Sequence, residues 1–428
     1  MIFCKKAGWG MVLLFLCLIF GTGRTQKIEA AVQNVPESLE EESRLDTVGT
    51  DQETERAAVR EKKGQQEKEA GDTETDQAAA AQDELLAELD FDAIQQEVDS
   101  LLSSQQFSFA GTVRSLLQDG DPFRTFRAGN AVLSCAKTAF LAQKGLMKEL
   151  FLLVLAGAVL GSFSSLFEGK QVRDASFYMV YLLALALILK NFQSSGENLK
   201  AVITSLVAFM RILTPSYYLA AAAAGGASSA VMFYQMLLLV ILAVEKLLLA
   251  LVLPMIHIYL LIALVNDLSG EEILSHMTEL LETCVNGLLK SSLGVLVGMQ
   301  MIRNLIAPAL DSLRQMALWR TAGMIPGIGN AVNAVTELVA GSAVLIRNCF
   351  GVTAMLVLLA AGMVPAVQLL VSGLSFRLLA AAAQPVSDKR IAGCLAAAGK
   401  GYAMLLRLLL TVEVLFLLTI AILAGTFS

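Results

Sequence analysis

From about residue 148 onward, the chain alternates long apolar runs with short polar segments. Each run approaches the roughly 20 residues that a helix needs to cross a bilayer. Helices also satisfy their own backbone hydrogen bonds in lipid. The pattern therefore predicts an all-α, polytopic transmembrane protein with about eight spans. The predicted spans are Leu150–Phe167, Ala175–Leu189, Ser228–Val244, Leu247–Val265, Ser291–Ala307, Ala331–Ile346, Gly351–Ser372 and Tyr402–Gly425.

Residues 83–147 follow an amphipathic pattern instead. Apolar side chains between Leu86 and Leu102 recur mostly at three- and four-residue intervals, which places them on one face of a helix. Further helical segments follow on either side of the breaker Gln118–Pro122. We predict a small extracytoplasmic helical region that either lies on the bilayer surface or docks a partner.

The first 82 residues predict export rather than a folded domain. In residues 1–30, Lys5 and Lys6 precede a short apolar run and Ala30 is a candidate cleavage position, as in a signal peptide. An uncleaved anchor is the alternative, and either would carry the next segment out of the cytoplasm. Residues 31–82 are acidic and contain few large apolar side chains, which predicts a disordered linker.

Composition supports the membrane assignment. Mean hydropathy is +0.64, and only 16% of residues are charged, against about 25% in an ordinary soluble domain. The acidic excess lies in the first hundred residues, which argues against a nucleic-acid partner.

Two stretches, approximately residues 211–310 and 322–425, resemble each other. Pro215 and Pro254 have the same spacing as Pro326 and Pro365, and each copy continues with a polar loop, a cysteine and a lysine. With three predicted spans per copy, the second copy would enter the membrane in the opposite sense. Inverted repeats of this kind are typical of secondary transporters. The cysteine and lysine pairs are Cys284 with Lys290 and Cys394 with Lys400.

Lysine and arginine are more numerous in the loops that this topology places inside, as the positive-inside rule requires. The loop around Ser269 then lies outside and the loop around Ser387 inside. One break has a rival interpretation, because Glu245–Lys246 is either a tight turn between two spans or part of one long tilted helix.

Pro254 and Pro365 lie within apolar runs, where each removes one backbone hydrogen bond. A kink is expected at both positions. Prolines are also tolerated in membrane helices without any function.

A glycine-rich run at residues 323–330 contains Pro326, Gly327 and Gly329, and Gly341 follows it. Glycine permits unusual backbone angles and close approach of helices. The run therefore lines a pore or substrate path, or packs helices through small residues. Leucine at any of the three glycines should disrupt the protein, whereas alanine at Gly341 should be mild.

Arg303 and Glu413 occupy corresponding positions deep in the last span of each copy. A charge at such depth costs about 2.5–3.5 kcal/mol on insertion scales, so each should find a partner or water. One interpretation is an ion pair between the two. The alternatives are that Arg303 extends to the membrane surface and that Glu413 pairs with Arg407.

Catalysis has little support. There are two histidines, His257 and His276, and the sequence lacks a P-loop and the common hydrolase and metalloprotease motifs. The cysteines are scattered singly. We predict no catalytic residue, metal site or cofactor, so transport energy would come from an ion gradient or a partner ATPase.

The run Ile325–Ser342, followed by Arg347, Asn348 and Gly351, and the stretch Gln384–Asp388 before Cys394 resemble the stage III sporulation protein AE family. The resemblance covers roughly residues 85 to 428. It implies a polytopic protein in the mother-cell membrane around the forespore of an endospore-forming bacterium. It also implies membership in a channel that resembles specialised secretion systems, with a cytoplasmic ATPase and extracytoplasmic ring proteins as partners.

The sequence thus favours a non-enzymatic membrane component of the sporulation channel, its permease-like or export-gate part. Two alternatives remain at this point. One is an autonomous secondary transporter of a small solute, and the other is a structural scaffold for ring assembly.

Overall fold

A computed structural model describes residues 90–102, 107–119, 128–164, 170–223, 228–269, 274–322 and 329–425. The predicted signal peptide, residues 1–30, and the linker, residues 31–82, lie outside these residues. The described part is almost entirely helical and contains no strand, which confirms the all-α prediction. The helices are α1 (Phe91–Leu101), α2 (Phe109–Asp119), α3 (Ala128–Ser164), α4 (Lys170–Ala223), α5 (Ser228–Leu247), a π-helical segment (Leu248–Val252), α6 (Leu253–Ser269), α7 (Ser275–Ala322), α8 (Gly329–Ala383) and α9 (Lys389–Gly425).

Helices α1 and α2 form a small amphipathic pair. Asp90 caps α1, since its carboxylate accepts a hydrogen bond from the Ala93 amide at 3.1 Å. The Gln95 side chain joins the pair, because it donates to the Phe107 carbonyl at 2.7 Å and accepts from the Phe109 amide at 2.8 Å. Their shared apolar face is buried in this chain and contains Ile94, Val98, Phe109 and Val113.

This face packs against the long helices of the same chain, α1 against α4 and α2 against α8. Aromatic rings contribute to this contact. The ring centres of Phe109 and Phe350 of α8 lie 5.0 Å apart, edge to face. The Phe350 ring centre also lies 6.2 Å from that of Tyr217 in α4. The sequence left a bilayer surface or a partner as the two candidates for this face. In the structure, α4 and α8 of the same chain cover this face instead.

Helices α3 to α9 form three antiparallel pairs: α3 with α4, the continuous α5–α6 rod with α7, and α8 with α9. Three helix ends lie together at one end of the bundle. The Arg390 guanidinium of α9 lies 5.5 Å from the ring centre of Phe177 in α4. A Cβ added at Gly393 would lie 3.1 Å from the Asp267 carboxyl group of α6.

These contacts correct the predicted topology. Only α7 and α8 separate Ser269 from Ser387, and an even number of crossings returns the chain to the side it left. The structure thus places the two loops at the same end of the bundle, whereas the predicted topology placed them on opposite sides of the membrane. The difference comes from an extra predicted break between residues 331 and 372, which the structure does not contain.

Both predicted breaks inside long helices are wrong for the same reason. Glu245 and Lys246 lie near the end of α5, whose path continues through the π segment into α6, as the one-helix alternative proposed. Arg347 and Asn348 lie within α8, and Arg347 is 1% exposed rather than in a loop. Glutamate, lysine and arginine are good helix formers, so polar side chains alone do not end a helix.

Each copy of the predicted repeat falls on two helical units that pack together. The first copy contains α5–α6 and α7, and the second contains α8 and α9. The described residues thus give two long helical units per copy, whereas the predicted inversion required three spans. The transporter analogy that rested on inversion therefore loses its basis.

Among the described residues, five helical stretches are long and apolar enough to cross a membrane: Phe177–Tyr217, Leu238–Ser269, Ser275–Met299, Gly341–Ala383 and Lys389–Ala421. They lie in α4, α5–α6, α7, α8 and α9, and α3 packs beside α4 and α8. The longest, of 43 residues, is about twice the roughly 20 residues that a span needs.

The shared side of Ser269 and Ser387 is testable with single cysteines in a variant without native cysteines. We expect both positions to react with an impermeant thiol reagent from the same side of the membrane. Exposed Arg114 of α2 serves as the control. Helix α2 packs near Tyr217 and Phe350, at the opposite end of α4 from Phe177, so a cysteine at Arg114 should react from the opposite side. Labelling of Ser269 and Ser387 from opposite sides would contradict the three-pair arrangement.

Candidate functional site in the bundle core

Helix α9 is the central helix of the bundle. It contacts α8 most extensively and also contacts α4, α5, α6 and α7. Nearly all its side chains between Ile391 and Ile420 are buried or half-buried, as an apolar, alanine-rich helix surrounded by others should be. Polar groups on α9 therefore lie in the bundle interior unless they face its exposed side.

Glu413 is the buried acid of this helix. Its side chain is 1% exposed, and neither carboxyl oxygen has a hydrogen-bond partner among the described residues. The carboxyl group lies directly against Gly362 of α8, where an added Cβ would overlap it. Gly362 thus provides the space that the Glu413 side chain occupies.

A small cavity lies on the neighbouring face of α9. Its volume is about 10 Å³, roughly the room that one water molecule requires. Glu245 of α5 contributes a second carboxyl group at the same level of the bundle. The lining residues are Ile241, Val244, Glu245, Leu296, Val412, Leu415 and Phe416.

The exposed side of α9 carries two cations, Lys400 and Arg407, which we call the cationic stripe. Lys400 is 61% exposed, and its Nζ lies 3.9 Å from the Glu282 carboxylate of α7. Arg407 is also exposed, and its Nη1 donates to the Asn286 side chain of α7 at 3.0 Å. The lysine of the second Cys–Lys motif is therefore part of a polar contact between α9 and α7.

A polar cluster joins α9 to α4. The Asn191 amide donates to the Tyr402 hydroxyl at 2.6 Å, and the Ser195 hydroxyl donates to the Asn191 carbonyl at 3.0 Å. The Tyr402 hydroxyl therefore donates to Ser195, 3.2 Å away. Because each hydroxyl both donates and accepts, the cluster is saturated and acts as a structural contact.

His257 lies beside this cluster, on α6. Its Nδ1–H donates to the Leu253 carbonyl at 2.8 Å, and its ring contacts Phe192 of α4 at 5.2 Å. A Cβ at Gly196 would lie 2.6 Å from the imidazole ring, so the ring packs directly on the α4 backbone. The helices approach closely here because residue 196 has no side chain.

Comparison with known proteins identifies the family. The family profile described as Stage III sporulation protein AE (spore_III_AE) matches residues 107–426, which is most of the chain. The chain belongs to this family. It is also 22% identical over 291 residues to the Stage III sporulation protein AE of Bacillus subtilis (strain 168), an alignment that covers 67% of this chain and 73% of that protein. No solved structure matches the chain.

Family membership assigns this protein a role in sporulation. The matched residues run from α2 to the end of α9, so they include Glu413, Gly362, the cationic stripe and the Tyr402 cluster.

The predicted site residues of this family member lie in different parts of the structure. Pro254 lies two residues after the π segment, which ends with a hydrogen bond from the Leu253 amide to the Leu248 carbonyl. That wider turn moves the carbonyl groups away from the proline ring, which would clash with them in a regular α-helix. Pro365 lies within α8, which is helical on both sides of it.

The glycine-rich run lies largely outside the described residues, Pro326 and Gly327 among them. Gly329 is the first residue of α8. Gly341 is exposed, and an added Cβ there would meet no atom within 4 Å. The room around Gly341 supports the expectation that alanine is mild there. Disruption by leucine would require a contact with another protein.

The interpretation that Glu413 pairs with Arg407 is wrong. Arg407 bonds to Asn286 on the exposed side of α9, while Glu413 faces α8, so Glu413 does not pair with Arg407. The Arg303 side chain lies outside the described side chains, and its pairing with Glu413 stays a prediction.

Sequence reasoning missed Gly362, Gly196, Tyr402 and Asn191. Their roles depend on contacts between helices distant along the chain, and no local pattern indicates such contacts. His257 was noted only as one of the two histidines.

Proposed function

We propose that this protein is an integral membrane component of the channel complex that links mother cell and forespore, and forms its permease-like or export-gate part. It would act in the mother-cell membrane around the forespore, with its N-terminal region extracytoplasmic. A cytoplasmic ATPase and extracytoplasmic ring proteins would be its partners. Family membership supports the sporulation role, and the cationic stripe supports a role within an assembly.

The cationic stripe carries this proposal. Lys400 and Arg407 lie 11 and 18 residues after the start of α9, on its exposed side, in a stretch long and apolar enough to cross a membrane. Contact of such a charge with lipid at the centre of a bilayer would cost about 2.5–3.5 kcal/mol. The Glu282 and Asn286 side chains offset part of that cost from one side only. The stripe is therefore suited to line a water-filled path or to contact another protein. A channel component offers both surroundings.

The autonomous transporter is the weaker alternative, because its support came from the inverted repeat. A pure scaffold would also cover the stripe with protein, but it would not need water there. Access of water to the stripe thus separates a path-lining component from a scaffold.

The proposal predicts that neutralising the stripe impairs the assembly. We expect Lys400→Gln with Arg407→Gln to reduce heat-resistant spore counts by about tenfold or more, because charges at this depth serve a function. The matched control is Lys137→Gln with Lys144→Gln, two exposed cations of α3 that should tolerate the change. Protein levels must stay equal to the wild type in both variants.

Copurification from sporulating cells supplies the second measurement. A tagged wild-type protein should bring down an ATPase and ring proteins, and the stripe variant should bring down less of them. Single cysteines at Ala403 and Leu410, on the same side of α9, should react with a water-soluble thiol reagent if the stripe lines a path. Solute uptake by the purified protein alone in liposomes, without copurifying proteins, would refute the channel role.

A further inference from the structure

We propose that Glu413 is a proton-binding site inside the bundle, where its side chain rests as a neutral carboxylic acid against Gly362. The proton is the ligand, and the site is formed by the contact between α8 and α9. This inference stands on the geometry of that contact and does not depend on the channel role.

Burial without a partner is the first reason. The Glu413 side chain is 1% exposed, and both its oxygens lack hydrogen-bond partners among the described residues. An ionised carboxylate in such surroundings carries a desolvation cost that no donor offsets, so a buried acid in this position neutralises itself by holding a proton. A carboxylic acid in a membrane bundle is by default a functional group rather than a packing residue.

The fit against Gly362 is the second reason. Glycine at this position of α8 leaves the volume that the carboxyl group fills, and any side chain there would overlap it. Both residues lie in buried segments of the closely paired helices α8 and α9. The packing of α8 against α9 therefore fixes the position of the Glu413 carboxyl group inside the bundle.

The described charged groups of α8 and α9 do not reach Glu413. On α8, the nearest charged residues are Arg347 and Arg377, each 15 residues from Gly362 and so about 22 Å away along the helix. On α9, Arg407 bonds to Asn286 on the other side. The other packed helices also carry charged residues, among them Lys190, Glu197, Lys200 and Arg211 of α4, Glu245 and Lys246 of α5, Asp267 of α6, and Glu279, Glu282, Lys290 and Arg303 of α7.

Of these groups, Glu245 lies at the level of Glu413, where it lines the cavity beside Val412. The cavity has room for about one water molecule, and Glu413 itself is not among the residues that line it. Release moves the proton from the Glu413 hydroxyl oxygen to water and leaves a carboxylate. Rebinding reverses this transfer, and no other bond changes.

Infrared spectroscopy of the purified full-length protein in lipid vesicles at neutral pH tests the resting state. The difference spectrum between wild type and Glu413→Gln should contain the carbonyl band of a protonated carboxyl group, and this band should shift in heavy water. Glu282→Gln is the matched control, because Glu282 is partly exposed beside Lys400 and should contribute the bands of an ionised carboxylate. Carboxylate bands from Glu413 at neutral pH would overturn the proposal.

Sporulation separates a proton-binding role from simple packing. Glutamine keeps the size and neutrality of the protonated side chain but cannot release a proton. We therefore expect Glu413→Gln to give normal protein levels with spore counts reduced about tenfold or more, and Glu413→Asp to retain part of the activity. Normal spore counts for Glu413→Gln would overturn the proton-binding role.

The Arg303 hypothesis supplies a further decisive outcome. If Arg303→Glu and Glu413→Arg each abolish sporulation and the double exchange restores it, Glu413 is an ionised pair partner and the present inference is wrong. Because the infrared measurement requires no sporulation, it decides the state of Glu413 even if the channel role fails.

Discussion

A leucine at Gly362 should prevent the native pairing of α8 with α9. A Cβ at this position already overlaps the Glu413 carboxyl group, and leucine adds further carbons in a buried site. Overpacking usually costs about 1–3 kcal/mol. Because the overlap is with a side chain that is itself enclosed, we expect the upper end of that range or more. The melting temperature of the purified protein in detergent should fall by several degrees, and spore counts should fall with it.

Two alanine variants calibrate this result. Gly362→Ala should destabilise the protein less than leucine, since the end of the glutamate side chain is able to turn. Gly341→Ala should change stability by about 0.5 kcal/mol or less, because an added methyl group there has open space. Combining Gly362→Ala with Glu413→Ala should recover part of the loss. Equal melting temperatures for Gly362→Ala and Gly341→Ala would contradict the proposed fit.

A leucine at Gly196 should separate α4 from α6. The His257 imidazole lies 2.6 Å from the position of a Cβ at Gly196, and its hydrogen bond to the Leu253 carbonyl limits its movement. We expect a loss of stability of about 3 kcal/mol, measured as the shift in thermal unfolding. The change should also weaken the neighbouring contact between Phe192 and Tyr402, whose ring centres are 5.2 Å apart.

A double-mutant cycle isolates the contact. Gly196→Ala and His257→Ala should each destabilise the protein, the first by overlap and the second by loss of packing. Together they should cost less than the sum of the two, because the smaller side chain at residue 257 removes the overlap. Strict additivity would mean that Gly196 and His257 do not touch in the folded protein.

The helical class of this protein follows from its apolar runs, whereas the arrangement of the helices does not. A run of apolar residues predicts a helix because lipid leaves the backbone few alternatives. The predicted span boundaries place Glu245 with Lys246, and Arg347 with Asn348, between spans. The protein instead keeps both pairs helical and buries Arg347. Charge content thus indicates where a side chain needs a partner, and it indicates helix ends less well.

The candidate site was partly visible in the sequence. Glu413 stood out as an acid within an apolar run, since such residues are rare without a purpose. Gly362 did not, because it lies among many small residues and nothing local marks the one that faces an acid. The same holds for Tyr402 and Asn191, whose hydrogen bond joins residues 211 positions apart.

The π segment before Pro254 changes the direction in which the side chains of α6 point, as well as the hydrogen bonding of the backbone. Each residue of an α-helix advances the azimuth by about 100°, since 3.6 residues complete a turn. The Leu253-to-Leu248 bond encloses one residue more than an α-helical bond does. Helix α6 is therefore out of rotational phase with α5, although the two form one rod. Before the π segment, Glu245 is directed towards α7 and α9, and after it, His257 is directed towards α4. With unbroken α-helical winding, the imidazole ring would point away from the notch at Gly196.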